Sequence, residues 1–596
     1  MKKVSTNLYL YEDTCNVYVI KTGEKAIAID FGNGNVLQHL SSIGVQEITD
    51  VLMTHHHRDQ AQGLHLAAER GIRIWVPHTE QDLFHSIDEH WKAREIDNNY
   101  NNRQDRFSLL QPVPVYKTLK DYQTINLNGH KLTILPTPGH TTGSISIVCT
   151  IDQAKVAFTG DLIYGPGKVW SMSATQWSYN GGEGIALSVL SLLELKDRNQ
   201  DLLLPSHGTV MKEPNEAITL LIERFTELMK LRKQNPRLFQ LREKPYENVT
   251  PHLLKNRTSM ANTYVVISKT GKALLFDFGY DFIGGLAAGA DRASRRPWLY
   301  TISKLKEQYG IEKIDVVIPT HFHDDHVAGF NLLREVEGTK VWCPENFSDI
   351  LENPKTYDLP CIWYDSIPVD KTLPLSQKVK WEEYEFTLYE QSGHTLYAVA
   401  IDFEIDGKRV LVIGDQYQGD DINYVYHNKF RMWDYCDSAE LYKRLRPDII
   451  IAGHCDPIHV TEDYLQTIED KGALLERLHQ ELLPLEDVDF GAVGFGAVIT
   501  PYQSIVKSGQ TISFDIEIKN PFSSDEEAII RLVTPKNWAI VQDEYNLQLA
   551  GSASNCLTVT IVVPEGIRGY KERIAVDLTV GNTNFGQHAE ALVTII

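Results

Sequence analysis

Two stretches bring histidine and aspartate together at a spacing that could hold metal ions. THHHRDQ places His55, His57 and Asp59, and THFHDDH places His321, His323, Asp325 and His326. Imidazole nitrogens bind zinc at ~2.0–2.1 Å and carboxylate oxygens bind at a similar distance, so such clusters suit zinc and also iron or manganese. Alternate residues on an extended or tightly turned loop can present two imidazoles to one ion, and the Asp-His pair that follows points toward a second. Two ions sharing a hydroxide generate a nucleophile at neutral pH and polarise a scissile carbonyl or phosphoryl group. A lone His-x-His is weak evidence, since 21 histidines in 596 residues give ~0.7 occurrences by chance. An Asp two residues on cuts this to roughly 0.05, and two such clusters in matched context make chance a poor explanation.

Three more landmarks follow each cluster in the same order. His140 in LPTPGHTTG matches His394 in YEQSGHTLY, Asp161 in FTGDLIYG matches Asp415 in VIGDQYQG, and His207 in LLPSHG matches His454 in IIAGHC. The step from the isolated His to the Asp is 21 residues in both series. Upstream, NVYVIKTGEKAIAIDFG and NTYVVISKTGKALLFDFG repeat a strand-turn-strand pattern ending in Asp30 and Asp277. One ancestral unit has therefore been duplicated.

Each landmark follows a short apolar, β-branched run and so lies at the end of a strand, where residues from several strands can converge on one point. Helical stretches such as GLHLAAERG and NLLREVEG lie between them, giving an α/β pattern. Amphipathic helices close the two units, EPNEAITLLIERFTELMKLRKQ and TEDYLQTIEDKGALLERLHQELLP. The segment NPRLFQLREKPYENVTPHLLKNRTS reads as a linker, and the predicted domains are 1–245, 246–490 and 491–596. The last has short alternating strands, as in TISFDIEIKNP and RIAVDLTVG, and is read as an antiparallel, immunoglobulin-like β-sandwich suited to docking, oligomerisation or spacing.

The ligand order resembles that of the metallo-β-lactamase superfamily, whose signature is HxHxDH followed by separate His, Asp and His ligands. The resemblance covers about residues 1–235 and 250–480 and implies two tandem αββα sandwich domains. It implies His321, His323 and His394 on one ion of the second copy and Asp325, His326 and His454 on the other, with Asp415 bridging and Asp325 orienting the attacking hydroxide. The first copy carries His55, His57, Asp59, His140, Asp161 and His207, with Asp59 in the equivalent catalytic place, but Gln60 stands where the signature has its last His. An amide oxygen is a much weaker zinc donor than imidazole. A weakened second position, a single-ion site and an inactive domain are all open, and the reading adopted is a metal-bound first copy with reduced occupancy of its second position. His56 has no ligand role in the family, and Asp30 and Asp277 are read as hydrogen-bonding supports for the ligand loops.

Composition narrows the function. Apolar and charged fractions of 42% and 23% are those of a soluble globular protein, and seven scattered cysteines fit reduced thiols. A net charge of -21 without a basic cluster argues against nucleic acid as substrate. No apolar run reaches membrane-span length and no signal peptide is read at the start, so a cytoplasmic protein is expected, with a small-molecule substrate and a sandwich that could pair copies. The leading expectation is zinc-dependent hydrolysis of a lactone, thioester, phosphoester or sulfate ester. The alternatives are an iron-dependent oxidoreductase similar to persulfide dioxygenases, and a protein in which one copy is a non-catalytic binding module. The stretches 85–107, 165–184 and 282–300 are read as pocket walls or as covers of one copy's site by the other's loop.

Overall fold

The computed structural model describes residues 1–93, 104–172, 184–284, 291–419, 422, 430–536, 538–540 and 542–596. Residues 94–103 of the stretch 85–107, 173–183 of 165–184 and 285–290 of 282–300 lie outside those residues.

Each copy is two mixed sheets packed face to face with helices outside. In the first copy a seven-stranded sheet faces a five-stranded one, and in the second a seven-stranded sheet faces a six-stranded one. The interior strands have both faces covered, which explains their continuous apolar runs. Along Asn16–Thr22, Tyr18 and Ile20 point into the space between the sheets while Val17 and Val19 pack beneath the outer helices. Parallel pairing begins where Lys25–Ile29 meets Glu47–Leu52, and Lys272–Phe276 meets Lys313–Ile318 in the same way. Those central strands deliver the histidine clusters from their carboxyl ends.

The segment expected to be a linker is ordered. It contains the helix Leu238–Glu243 and the strands Tyr246–Thr250 and Leu253–Asn256, which form the edge of the second copy's larger sheet. Alternation failed to reveal the second of these because all four of its residues are buried, Lys255 and Asn256 included. Lys255 is compensated by Asp456, and Asn256 caps the following turn through Thr258.

The C-terminal strands form a four-stranded and a five-stranded sheet around one apolar core, a β-sandwich. One pairing is parallel rather than antiparallel, between Gln503–Val506 and Thr583–Ile595. Pro501 has no N–H to continue a ladder, so the chain leaves Ala497–Thr500 in one sheet and re-enters in the other. Among the described residues no helix is long and apolar enough to cross a membrane.

The two copies are fastened together by the inserted segment ahead of the second cluster. Ile283, Trp298 and Tyr300 join the first copy's outer core. Arg296 grips Asp121 through two nitrogens and donates to the carbonyls of Thr142 and Ser144, beside His140. Arg292 and His78 share Asp365 across the same seam. With only 6% and 10% of their side chains exposed, Arg296 and Asp121 form a buried pair, and loss of one partner leaves an uncompensated charge. Arg296→Ala should therefore cost about 3–5 kcal/mol in the urea transition that unfolds the paired copies. A cost below about 1 kcal/mol would show that the pair is effectively solvated.

Candidate metal centres

Both centres are built on the same support. Asp30 and Asp277 end their strands in the left-handed region, at φ 56° and 58°, a conformation that costs an Asp ~1–3 kcal/mol. The cost is offset by matched hydrogen bonds. The backbone N–H of Thr54 donates to Asp30 at 2.9 Å, and that of Thr320 to Asp277 at 2.7 Å. Each threonine hydroxyl also donates to the same carboxylate, leaving its oxygen to accept from Nδ1 of His55 at 3.0 Å or His321 at 3.1 Å. The proton on Nδ1 leaves the Nε2 lone pair free to face the site.

In the second copy His321, His323 and His394 converge, with Nε2 of His394 3.1 Å from Nδ1 of His323. His321, His326 and Asp415 form a second group and Asp325, His326 and His454 a third, each with donor atoms within 4.8 Å of one another. Asp415 spans them: its Oδ2 is 3.5 Å from His394 and 3.1 Å from His454, and its Oδ1 is 3.3 Å from His326. Zinc–nitrogen bonds of ~2.0–2.1 Å place tetrahedral ligands about 3.4 Å apart, so these spacings suit a cation at their centre. The donors fit for a second reason. Nε2 of His321 and His326 is buried without a hydrogen-bond partner, a costly state that a bound cation would relieve.

Charge points the same way. Burial pushes His321 well below the ordinary imidazole range and His323 to about 3, with neighbouring imidazoles adding to it. Burial also opposes charge on His326 and His454, but the carboxylates outweigh it. Asp415, Asp277 and Asp325 lift His326 well above its usual value, and Asp415 and Asp325 raise His454 to about 10. This half of the site demands positive charge, which a divalent ion supplies when bound. Arg295 pairs with Asp324 and so anchors the start of Asp324–Val327, the short helix that carries Asp325 and His326.

In the first copy His55, His57 and His140 converge, with Nε2 of His140 3.0 Å from Nδ1 of His57 and Nε2 of His55 unpartnered. Burial holds His55 at about 3 and lowers His57 and His140. Asp161 lies 3.6 Å from His55 and 3.4 Å from His140. Burial raises its pKa, but the His207 hydrogen bond and the nearby imidazoles prevail and hold it at about 2. Among the described residues, Asp59, Asp161 and His207 do not assemble into a second donor group here. Gln60 instead donates to Asp161 at 3.0 Å, and His207 sits 2.9 Å from the other Asp161 oxygen.

Several supporting residues escaped the sequence reading. His56 lies buried 3.2 Å from Glu80, which also accepts from Thr141 and the N–H of Gly143, tying the first histidine loop to that of His140. The second copy has Phe322 and Phe347 at the matching places, both buried. The signal was a position-by-position comparison of the copies: Glu80 and Phe347 each follow a strand-ending proline by three residues. Tyr417 packs against Tyr435 and Tyr442, while Tyr164 stacks on Trp170, which stacks on His207. His90 and His252 pair with Asp105 and Asp406 and take no part in either centre.

The Metallo-beta-lactamase superfamily model matches residues 10–207 and again 257–454. The chain belongs to the metallo-beta-lactamase superfamily. It carries the superfamily's domain twice in tandem. Curated relatives include a beta-lactamase-like protein 2 homolog of Caenorhabditis elegans, 24% identical across 37% of this chain and 66% of that protein. Human acyl-coenzyme A thioesterase MBLAC2 is 26% identical across 34% of this chain and 76% of its own length. The atrochrysone carboxyl ACP thioesterase of Aspergillus fumigatus is 24% identical across 35% and 55%. Among solved structures, a subclass B3 metallo-beta-lactamase of Bradyrhizobium japonicum aligns at 20% identity over 39% of this chain and 94% of that one, TM-score 0.30.

Because Asp277 holds both Thr320 and Nδ1 of His326, the latter at 2.8 Å, it orients a ligand from behind. Asp277→Asn should weaken zinc binding in the second copy by roughly 10–100-fold in a chelator competition titration. Unchanged affinity would mean that the His326 ring is oriented by packing alone.

Proposed function

We propose that the second copy is a zinc-dependent thioesterase acting on small acyl thioesters. The observation that carries this reading is the convergence of seven potential ligands, from His321 to His454, into three overlapping donor groups. The thioester class is supported by relatives named as an acyl-coenzyme A thioesterase and an ACP thioesterase.

His321, His323 and His394 would hold one ion, and Asp325, His326 and His454 the other, with Asp415 contacting both. Bound there, zinc polarises a carbonyl and lowers the pKa of water toward ~7. The residues do the rest. Asp325, on a helix start fixed by Arg295, accepts the proton of the attacking water and holds it near the departing thiolate. Nδ1 of His321 and of His326 is tied to Thr320 and Asp277, so neither ring reorients as charge develops.

The test is thiol release from acyl-coenzyme A by the full chain, run beside lactone, phosphoester and sulfate-ester substrates. Thioester cleavage is expected, falling roughly a thousandfold in His323→Ala and Asp415→Ala, the equivalent of several kcal/mol of lost charge stabilisation. Unaltered turnover in those variants, or iron-dependent oxygen uptake in place of hydrolysis, would overturn it.

A further inference from the structure

The first copy departs from the second at two linked positions around its would-be second ion. Gln60 replaces a histidine, and Ser206 replaces a glycine, for the residue before His454 is Gly453. A Cβ on Gly453 would lie 2.0 Å from Oδ1 of Asp415 and 2.8 Å from Cε1 of His326. Backbone geometry therefore excludes a side chain at that place while His326 and Asp415 keep their positions.

In the first copy Ser206 occupies the space, and its hydroxyl donates to Oδ2 of Asp30. The corresponding oxygen of Asp277 is the one that accepts from His326. Ser206 has thus taken over the hydrogen bond that the missing histidine would make. Gln60 turns the other way and its amide N–H donates to Oδ2 of Asp161, because a carboxylate oxygen can only accept.

His207 lies between Asp59 and Asp161. Its Nε2 is 3.1 Å from the carbonyl oxygen of Thr14 and 3.3 Å from Oδ2 of Asp59. Its Nδ1 faces Asp161, and Trp170 lies flat against the ring at 4.2 Å and 3°. In the second copy Nε2 of His454 likewise faces the matching aspartate, Asp325, at 3.2 Å, and also Asp415 at 3.1 Å.

We propose that the first copy is a single-ion centre. His55, His57 and His140 take one divalent cation of the zinc type, and Gln60 and Ser206 together close the second position, whatever the second copy hydrolyses. The closure makes a specific demand: restoring the histidine alone cannot reopen the position, because Ser206 stands where its imidazole must hydrogen-bond.

The test counts zinc by plasma mass spectrometry on the full chain after loading and desalting. The unaltered protein should retain about three ions, with two in a complete dinuclear site and one in the other copy. Q60H should still hold about three, and Q60H/S206G about four. In the second copy G453S should lose about one, which keeps the idea testable if the double variant fails to fold. His57→Ala should also lose about one, whereas ions lost on His323→Ala report on the second copy's own site. A count near four in the unaltered chain, a fourth ion in Q60H alone, no gain in a folded Q60H/S206G, or no loss in G453S or His57→Ala would overturn the proposal.

Discussion

A buried carboxylate at the end of an interior strand is the constraint on which each centre depends. Asp30 and Asp277 are held in a backbone region unfavourable to side chains, and their bonds to a threonine N–H and hydroxyl help to offset its cost. Those bonds also fix the histidine loop. The threonine that satisfies the carboxylate sets the tautomer of the next residue, so folding and ligand orientation are accomplished by one network. The environment of Asp30, buried behind the histidines, pushes its pKa to about 7 despite the hydroxyls that oppose the effect.

Duplication has let the two networks diverge. The second copy spends its support carboxylate on a ligand histidine, and the first spends the equivalent oxygen on a serine. Beneath the first histidine loop the polar His56–Glu80 contact stands where the second copy packs Phe322 and Phe347. Both exchanges come in pairs, as close packing requires: a change of volume or polarity on one side of a buried contact must be met on the other. Of two consecutive arginines, Arg296 links the copies by bracing the loop of His140, and Arg295 holds the second copy's own helix start beside Asp325.

Much of this was legible in the sequence. The ligands stand at the ends of apolar strands, and their order and the 21-residue step are preserved in one dimension. The α/β class followed from the alternation of strand and helix, and the αββα layers from the resemblance to the superfamily. What stayed hidden was whatever depends on distant partners. Arg296 meets Asp121 across 175 residues, and a lone arginine announces no such pairing. Leu253–Asn256 was missed because burial of a lysine and an asparagine erases the alternation by which strands are read. The significance of Ser206 rests on the crowded space around Gly453, which residue spacing does not encode.

Anomalous scattering from a zinc-loaded crystal distinguishes unequal centres in one chain from equal ones. Two peaks about 3.5–4 Å apart are expected among His321, His323, Asp325, His326, His394, Asp415 and His454, with a single peak among His55, His57 and His140. Paired peaks in both copies, or a pair in the first and one in the second, would contradict a single-ion first copy.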